Sequence, residues 1–252
     1  MNTLFKGVAA VSFTLTDVVG FITRADYYYR TDRPLLIAHR GTYGYYPEHA
    51  LGGYIEAYYN GADFIEFDVQ VTKDKELVIL HDPYLDFCTD IWDHTDRFGD
   101  KTYWGWHFVP DFTLEELRSI HLKMRFDFRS TFNDKKYVVQ TFQEVIDLIR
   151  MLNAEFPRVL NAERKIGLYI EIKDWQWNMD WVGYNTADIF HDLLVENNLD
   201  TIEACKDDIP IVVQSFELEA LKYFRTLADL PNTFLVGVDC ANVYEQIWLI
   251  VE

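Results

Sequence analysis

Short apolar runs, each long enough for one strand, recur along this chain with helical patterns between most of them. That alternation restricts the fold more than any other feature. The runs are 35–39 (LLIAH), 64–69 (FIEFDV), 77–81 (LVILH), 166–172 (IGLYIEI), 211–214 (IVVQ) and 234–238 (FLVGV). Residues 49–60, HALGGYIEAYYN, read as a helix stopped by Gly61, and 141–152, TFQEVIDLIRML, open with a Thr-x-x-Glu capping box. Thr113 to Glu116 forms a second such box, and further helices are expected near 186–197 and 217–228. Strands that are apolar on both faces and alternate with helices belong to a parallel sheet or barrel. Ligands of such folds sit beyond the carboxyl ends of the strands.

Two places break the alternation. Between Asp68 and Leu77 the chain is too short for the helical crossover that joins parallel strands, so no helix fits there. An extended segment of that length covers roughly 26 Å, enough to return along the strand layer. The second break is residues 83–140, rich in Asp, Trp, Phe and Gly, which read as an insertion. Its aromatics, Trp92, Tyr103, Trp104, Trp106 and Phe108, are expected to pack as a core of their own, the commoner role of such side chains. The other reading has them admit an intact lipid.

What the strands deliver is chemical. The first run ends in His39-Arg40-Gly41, and Pro47-Glu48 follows closely. In FIEFDVQ, Glu66 and Asp68 are two apart and share one strand face; in LYIEIK, Glu171 and Lys173 do the same. The third run ends in His81-Asp82. Each pair alone is open to a bland reading, a solvent-facing stripe or an edge ion pair. Two adjacent inward carboxylates, however, repel unless a cation lies between them. Carboxylates from several strands suit a hard divalent cation, arginine and lysine suit an anionic oxygen, and two histidines suit an acid and base pair. Together they equip a site for phosphodiester cleavage.

Composition removes several alternatives. A formal net charge of −18 argues against nucleic-acid or anionic-membrane partners, which need basic patches. Cys88, Cys205 and Cys240 have no C-x-x-C spacing, so a cysteine zinc site or a disulfide framework is not expected. No stretch is long and apolar enough for stable insertion into a bilayer. Residues 1–34 form an N-terminal segment whose lysine and apolar run have the look of a leader, against which Asp17, several threonines and the lack of an A-x-A site weigh.

The order HRG, PE, E-x-D, T-K-D, HD and E-x-K resembles the glycerophosphodiester phosphodiesterases, and GYYPEHALGGYIEAYYNGADFIEFDVQVTKDKELVILHDPYLD is most similar to their periplasmic or secreted bacterial-type branch. DFTLEELRSI, TFQEVIDLI, LYIEIK and VVQSFE are also similar to family segments. The resemblance covers about residues 35 to 240. It implies a (β/α)8 barrel of TIM type with a segment inserted after the HD strand, here about 83–140, within a domain spanning 35–252. The implied reaction is hydrolysis of small-molecule glycerophosphodiesters to glycerol 3-phosphate and an alcohol, with one bound divalent cation, Ca2+ before Mg2+. By the resemblance, Glu66, Asp68 and Glu171 fall on metal ligands and His39 and His81 on catalytic histidines. Arg40 and Lys173 fall on phosphate-contacting positions, and Glu48 near the metal or the glycerol. The family has two further strands and a tryptophan-containing motif past CANVYEQIWLIVE, so an incomplete barrel of about six strands is expected.

Two rivals are compatible with the same residues. One is a related barrel phospholipase acting on lysophospholipid or sphingolipid head groups. The other is a non-catalytic, truncated binding protein.

Overall fold

The computed structural model describes residues 34–155, 165–236 and 247–250. The leader-like segment before residue 34, Cys240 and the end of the 234–238 run lie outside them. In chain order the strands are β1 (Ile37–His39), β2 (Phe64–Val71), β3 (Leu77–Ile79), β4 (Gly167–Ile172), β5 (Ile211–Ser215), β6 (Asn232–Val236) and β7 (Ile247–Ile250). The helices are α1 (Leu51–Tyr59), α2 (Thr95–Phe98), α3 (Leu114–Leu117), α4 (Phe142–Glu155), α5 (Trp175–Trp177), α6 (Thr186–Glu196), α7 (Ile202–Asp207) and α8 (Leu218–Phe224). All strands join one sheet in the order β1-β2-β4-β5-β6-β7, parallel throughout except that β7 runs antiparallel to β6; β3 pairs with β2 off this path.

β3 corrects one expectation. It is antiparallel to β2, with Val69 opposite Ile79 and Val71 opposite Leu77, and so forms a hairpin and not a returning parallel strand. Residues 72–76 make the turn: the Thr72 N–H donates to Glu76 O, and Lys75 adopts a left-handed φ of 67°. The hairpin folds β3 back over the last residues of β2, and the Leu80 N–H donates to Asp68 O. His81 therefore reaches the expected end of the sheet by a different route.

β2 and β4 are buried on both faces. On β2 the outward residues meet the helices: Phe67 packs edge-on against Phe142 of α4 and at a tilt against Tyr54 of α1. Phe142 in turn stacks on Phe190 of α6, which meets Phe224 of α8. The capping boxes form as expected. Glu116 and Glu144 each donate their N–H to the threonine hydroxyl three residues before and accept that threonine's N–H on the carboxylate. Because Phe142 joins two helices to β2, Phe142→Ala is expected to cost about 3–5 kcal/mol in urea denaturation. A cost below 1 kcal/mol would mean that this contact is not central to the core.

β1 departs from its expectation as a buried strand. Among the described residues it pairs only with β2, and Leu36 and Ile37 are exposed. Insertion residues do build a core, but an aliphatic one. Leu85, Cys88, Ile91, Val109, Leu117, Ile120 and Leu122 pack with Phe98 and Phe112 onto Val78 and Leu80 of the β3 segment. The aromatics expected there lie mostly outside it, Trp92 and Tyr103 about half exposed and Trp104 73% exposed. Phe108 instead stacks on Trp177.

Candidate active site

Register across the sheet assembles the acidic cluster. Asp68 of β2 lies opposite Glu171 of β4, which lies opposite Gln214 of β5, while His39 of β1 lies opposite Glu66. Strand alternation then points Glu66, Asp68 and Glu171 to one side, each buried, with carboxylate oxygens within 4.8 Å of one another. Gln214 donates Nε2–H to Glu66 Oε1 at 3.0 Å, and Lys173 Nζ lies 2.7 Å from Glu171 Oε1 and 3.3 Å from Asp68 Oδ1.

The HRG turn explains itself in the same geometry. Arg40 takes a left-handed φ of 55°, which directs its N–H to Glu66 Oε2 at 2.9 Å. Its guanidinium faces Glu48 Oε2 at 3.2 Å and Asp68 Oδ2 at 3.6 Å. Gly41 follows at φ 79°, where a Cβ would meet Tyr54 Cδ1 at 2.8 Å. Only glycine avoids both penalties. His49 is a third left-handed residue, φ 65°, and its fully buried ring spans Tyr54 OH and Asp68 Oδ2, both at 3.0 Å. Left-handed non-glycine residues cost free energy and gather where a site over-determines the backbone.

Charge separates the three carboxylates. Burial raises the Glu66 carboxyl well above the ordinary range, and Asp68 beside it adds to this. Burial and then Asp68 push Glu171 up to about 8. Burial would raise Asp68 too, but hydrogen bonding from His49 and the Lys173 ammonium outweigh it and hold Asp68 low. One fixed anion thus stands beside two carboxyls that resist ionising. Asp68 Oδ1 is buried, with the Lys173 ammonium 3.3 Å away but no aligned hydrogen bond among the described residues. An all-oxygen donor set under that repulsion fits a hard divalent cation.

The two histidines sit differently. His39 is largely exposed, its Nε2 3.9 Å from Glu66 Oε2. His81 is anchored, with Nδ1 2.6 Å from Asp82 Oδ1. Arg125, from the insertion, fixes that anchor by donating Nη1–H to Asp82 Oδ2 at 2.7 Å while gripping Glu48 through Nε and Nη2 at 2.9 and 2.5 Å. Glu48 is 1% exposed and so locked between Arg125 and Arg40.

Burial alone would raise the Glu48 carboxyl, but hydrogen bonding from Arg125 outweighs it and lowers it. That stabilisation is complete above the ordinary value of about 4.3 and fades as pH falls through the lowered one. Arg125→Leu is expected to cost about 3 kcal/mol at neutral pH, the low end for a broken buried pair because Arg40 still faces Glu48. In acid the gap from wild type narrows. Urea titrations at the two pH values check this, and a gap independent of pH would contradict it.

All the residues expected at the site converge there: His39, Arg40, Glu48, Glu66, Asp68, His81, Glu171 and Lys173. Sequence reasoning missed four partners. His49 and Asp82 were adjacent to chosen residues, and Gln214 was legible as a polar side chain within an apolar strand. Arg125 carried no signal, since it reaches Glu48 across 77 residues.

Carboxylates, imidazoles and three cationic side chains at the carboxyl edge of a mostly parallel sheet place the molecule among α/β proteins of the barrel class. Residues 39–249 match the glycerophosphoryl diester phosphodiesterase family, and the chain belongs to it. A glycerophosphodiester phosphodiesterase of Arabidopsis thaliana is 34% identical over 221 residues, covering 82% of this chain and 56% of that protein. One from Haemophilus influenzae is 30% identical over 203 residues, covering 76% and 52%. The chain thus spans about half the length of these curated relatives. An Oleispira antarctica phosphodiesterase, solved with sn-glycerol-3-phosphate, aligns with TM-score 0.53 at 22% identity over 77% of this chain and 62% of its own. A Silicibacter pomeroyi structure assigned to the same family aligns with TM-score 0.61 at 20% identity over 82% and 66%. At these identities the likeness is one of fold, the TIM-barrel type.

Proposed function

We propose that this chain hydrolyses small glycerophosphodiesters to sn-glycerol 3-phosphate and an alcohol, with one divalent cation, Ca2+ in preference to Mg2+, held by Glu66, Asp68 and Glu171. The observation that carries the reading is the shared level of Asp68 and Glu171 on neighbouring strands, with Glu66 two residues away on the same face. Family membership and the sn-glycerol-3-phosphate in the Oleispira antarctica relative support it. On this reading residues 35–252 act as one domain, and the insertion of about 83–140 contributes Arg125 to the site.

When bound, the cation supplies Lewis-acid polarisation of a phosphoryl oxygen. Arg40 and Lys173 neutralise the remaining phosphate charge, Glu48 and Arg125 keeping the Arg40 guanidinium in place. Asp82 accepts the Nδ1–H of His81 and so orients the ring for its Nε2–H to protonate the leaving alkoxide. Burial opposes ionisation of Asp82, but hydrogen bonds from His81 and Arg125 outweigh it and keep the carboxylate charged. His39, at the end of β1, accepts the proton of the attacking group.

A second reading is cleavage of lysophospholipids, favoured by exposed aromatics near the mouth: Phe126 packs against Tyr43, which meets His39, and Phe128 is 81% exposed. Glycerophosphocholine and lysophosphatidylcholine, assayed side by side for glycerol 3-phosphate and choline release, separate the two. Release of glycerol 3-phosphate from the water-soluble diester supports the proposal. Turnover of the lysolipid alone overturns it.

A further inference from the structure

Within the insertion, Asp90, His94 and His121 present one donor atom each within 4.8 Å of one another. Asp90 caps the 3-10 turn Ile91–His94 and His94 ends it, and the two side chains approach each other across the turn. His121 arrives from the segment after α3, beside the bridge between Thr89 and Leu122. Below them lies the aliphatic insertion core, with Ile91, Ile120 and Leu122 fully or almost fully buried.

The distances do not suit hydrogen bonds. His94 Nε2 is 3.4 Å from Asp90 Oδ1, and His121 Nδ1 is 3.4 Å from Asp90 Oδ2. Ordinary N–H···O bonds end near 3.2 Å. His94 Nε2 is buried and has no hydrogen-bond partner among the described residues. By contrast, donors bound at 2.0–2.1 Å to one tetrahedral ion stand about 3.3 Å apart. Asp90 is already oriented: its N–H donates to His121 O at 2.9 Å and its Oδ1 accepts the His121 N–H at 2.7 Å. Such backbone support is what fixes a ligating carboxylate. Asp93 is occupied by Lys135, so the protein offers three donors and leaves a fourth position to solvent.

We propose that Asp90, His94 and His121 form a binding site for a borderline transition-metal ion, Zn2+ being the representative case, distinct in chemistry from the all-carboxylate cluster. Two imidazoles and one carboxylate select such ions over Ca2+ and Mg2+. The bound ion ties the 90–94 turn to the 121 segment and so pins together the two sides of the insertion that carries Arg125.

The test is zinc titration of the metal-stripped full chain with Ca2+ in excess, compared with the double variant His94→Asn/His121→Asn. The histidines are 24% and 40% exposed, so the variant is expected to fold, which circular dichroism checks. Wild type should take up zinc at least about 100-fold more tightly than the variant and gain melting temperature with it, and Co2+ should give visible bands of tetrahedral nitrogen–oxygen ligation. Wild-type protein without zinc uptake, or equal affinity in the two proteins, would overturn the site. Should the variant misfold, the Co2+ spectrum of wild type decides: octahedral aquo-like bands refute the proposal.

Discussion

His81→Ala is expected to lose about 10² to 10⁴ in kcat on glycerophosphocholine while binding divalent cation as the parent does. An alkoxide leaves poorly unless it is protonated in the transition state, and His81 is the imidazole with a fixed anchor. Its Nδ1 is held by Asp82, and Asp82 is held by Arg125. The acid role makes a sharper forecast than activity alone. A diester with a nitrophenol leaving group needs little protonation, so on it the His81→Ala deficit should shrink sharply. His39→Ala should lose rate on both substrates, because it acts on the attacking side. Parent-like turnover of glycerophosphocholine by His81→Ala would remove His81 from the chemistry, and an equal deficit on both diesters would remove it as the acid.

Glu66→Gln should have opposite effects on cation binding and on the metal-free fold. Calorimetric affinity for Ca2+ is expected to fall at least about 100-fold, since a ligating charge is lost. Stability without metal should not fall. Glu66, Asp68 and Glu171 crowd within 4.8 Å, and burial with the neighbouring charge already disfavours ionised Glu66. A neutral amide removes that repulsion, keeps its oxygen for the Arg40 N–H and turns its own N–H to Gln214, whose side-chain amide flips to present its oxygen. A purely structural carboxylate would behave in the reverse way, with unchanged cation binding and a lowered melting temperature.

The sequence and the structure agree most where the physics is local. Strand alternation was enough to put Glu66 beside Asp68 and Glu171 beside Lys173, and threonine–glutamate spacing was enough to begin α3 and α4. Gly41 was legible only as part of a motif; its necessity appears when Tyr54 is packed against it. Pairing direction was not legible. The segment between Asp68 and Leu77 is compatible with either an extended return or a hairpin, and the turn at Lys75 decided for the hairpin. β7 was not anticipated: IWLI, only four residues long, was not counted among the apolar runs. The insertion aromatics misled because apolar character was taken for burial, whereas the aliphatic residues around Cys88 fill that core. Arg125 illustrates the remainder: its partners Glu48 and Asp82 are distant in sequence and become its neighbours only once the insertion folds back.

The central claim is that the three carboxylates hold the cation on which phosphodiester cleavage depends. It is tested most directly by titrating Ca2+ into the metal-stripped full chain while following sn-glycerol 3-phosphate release from glycerophosphocholine. The account predicts negligible release before addition, activity that saturates with occupancy of a single site, and no restoration in Glu66→Gln at the same Ca2+ concentrations. Full release from the stripped protein, or identical titrations of the two proteins, would contradict it.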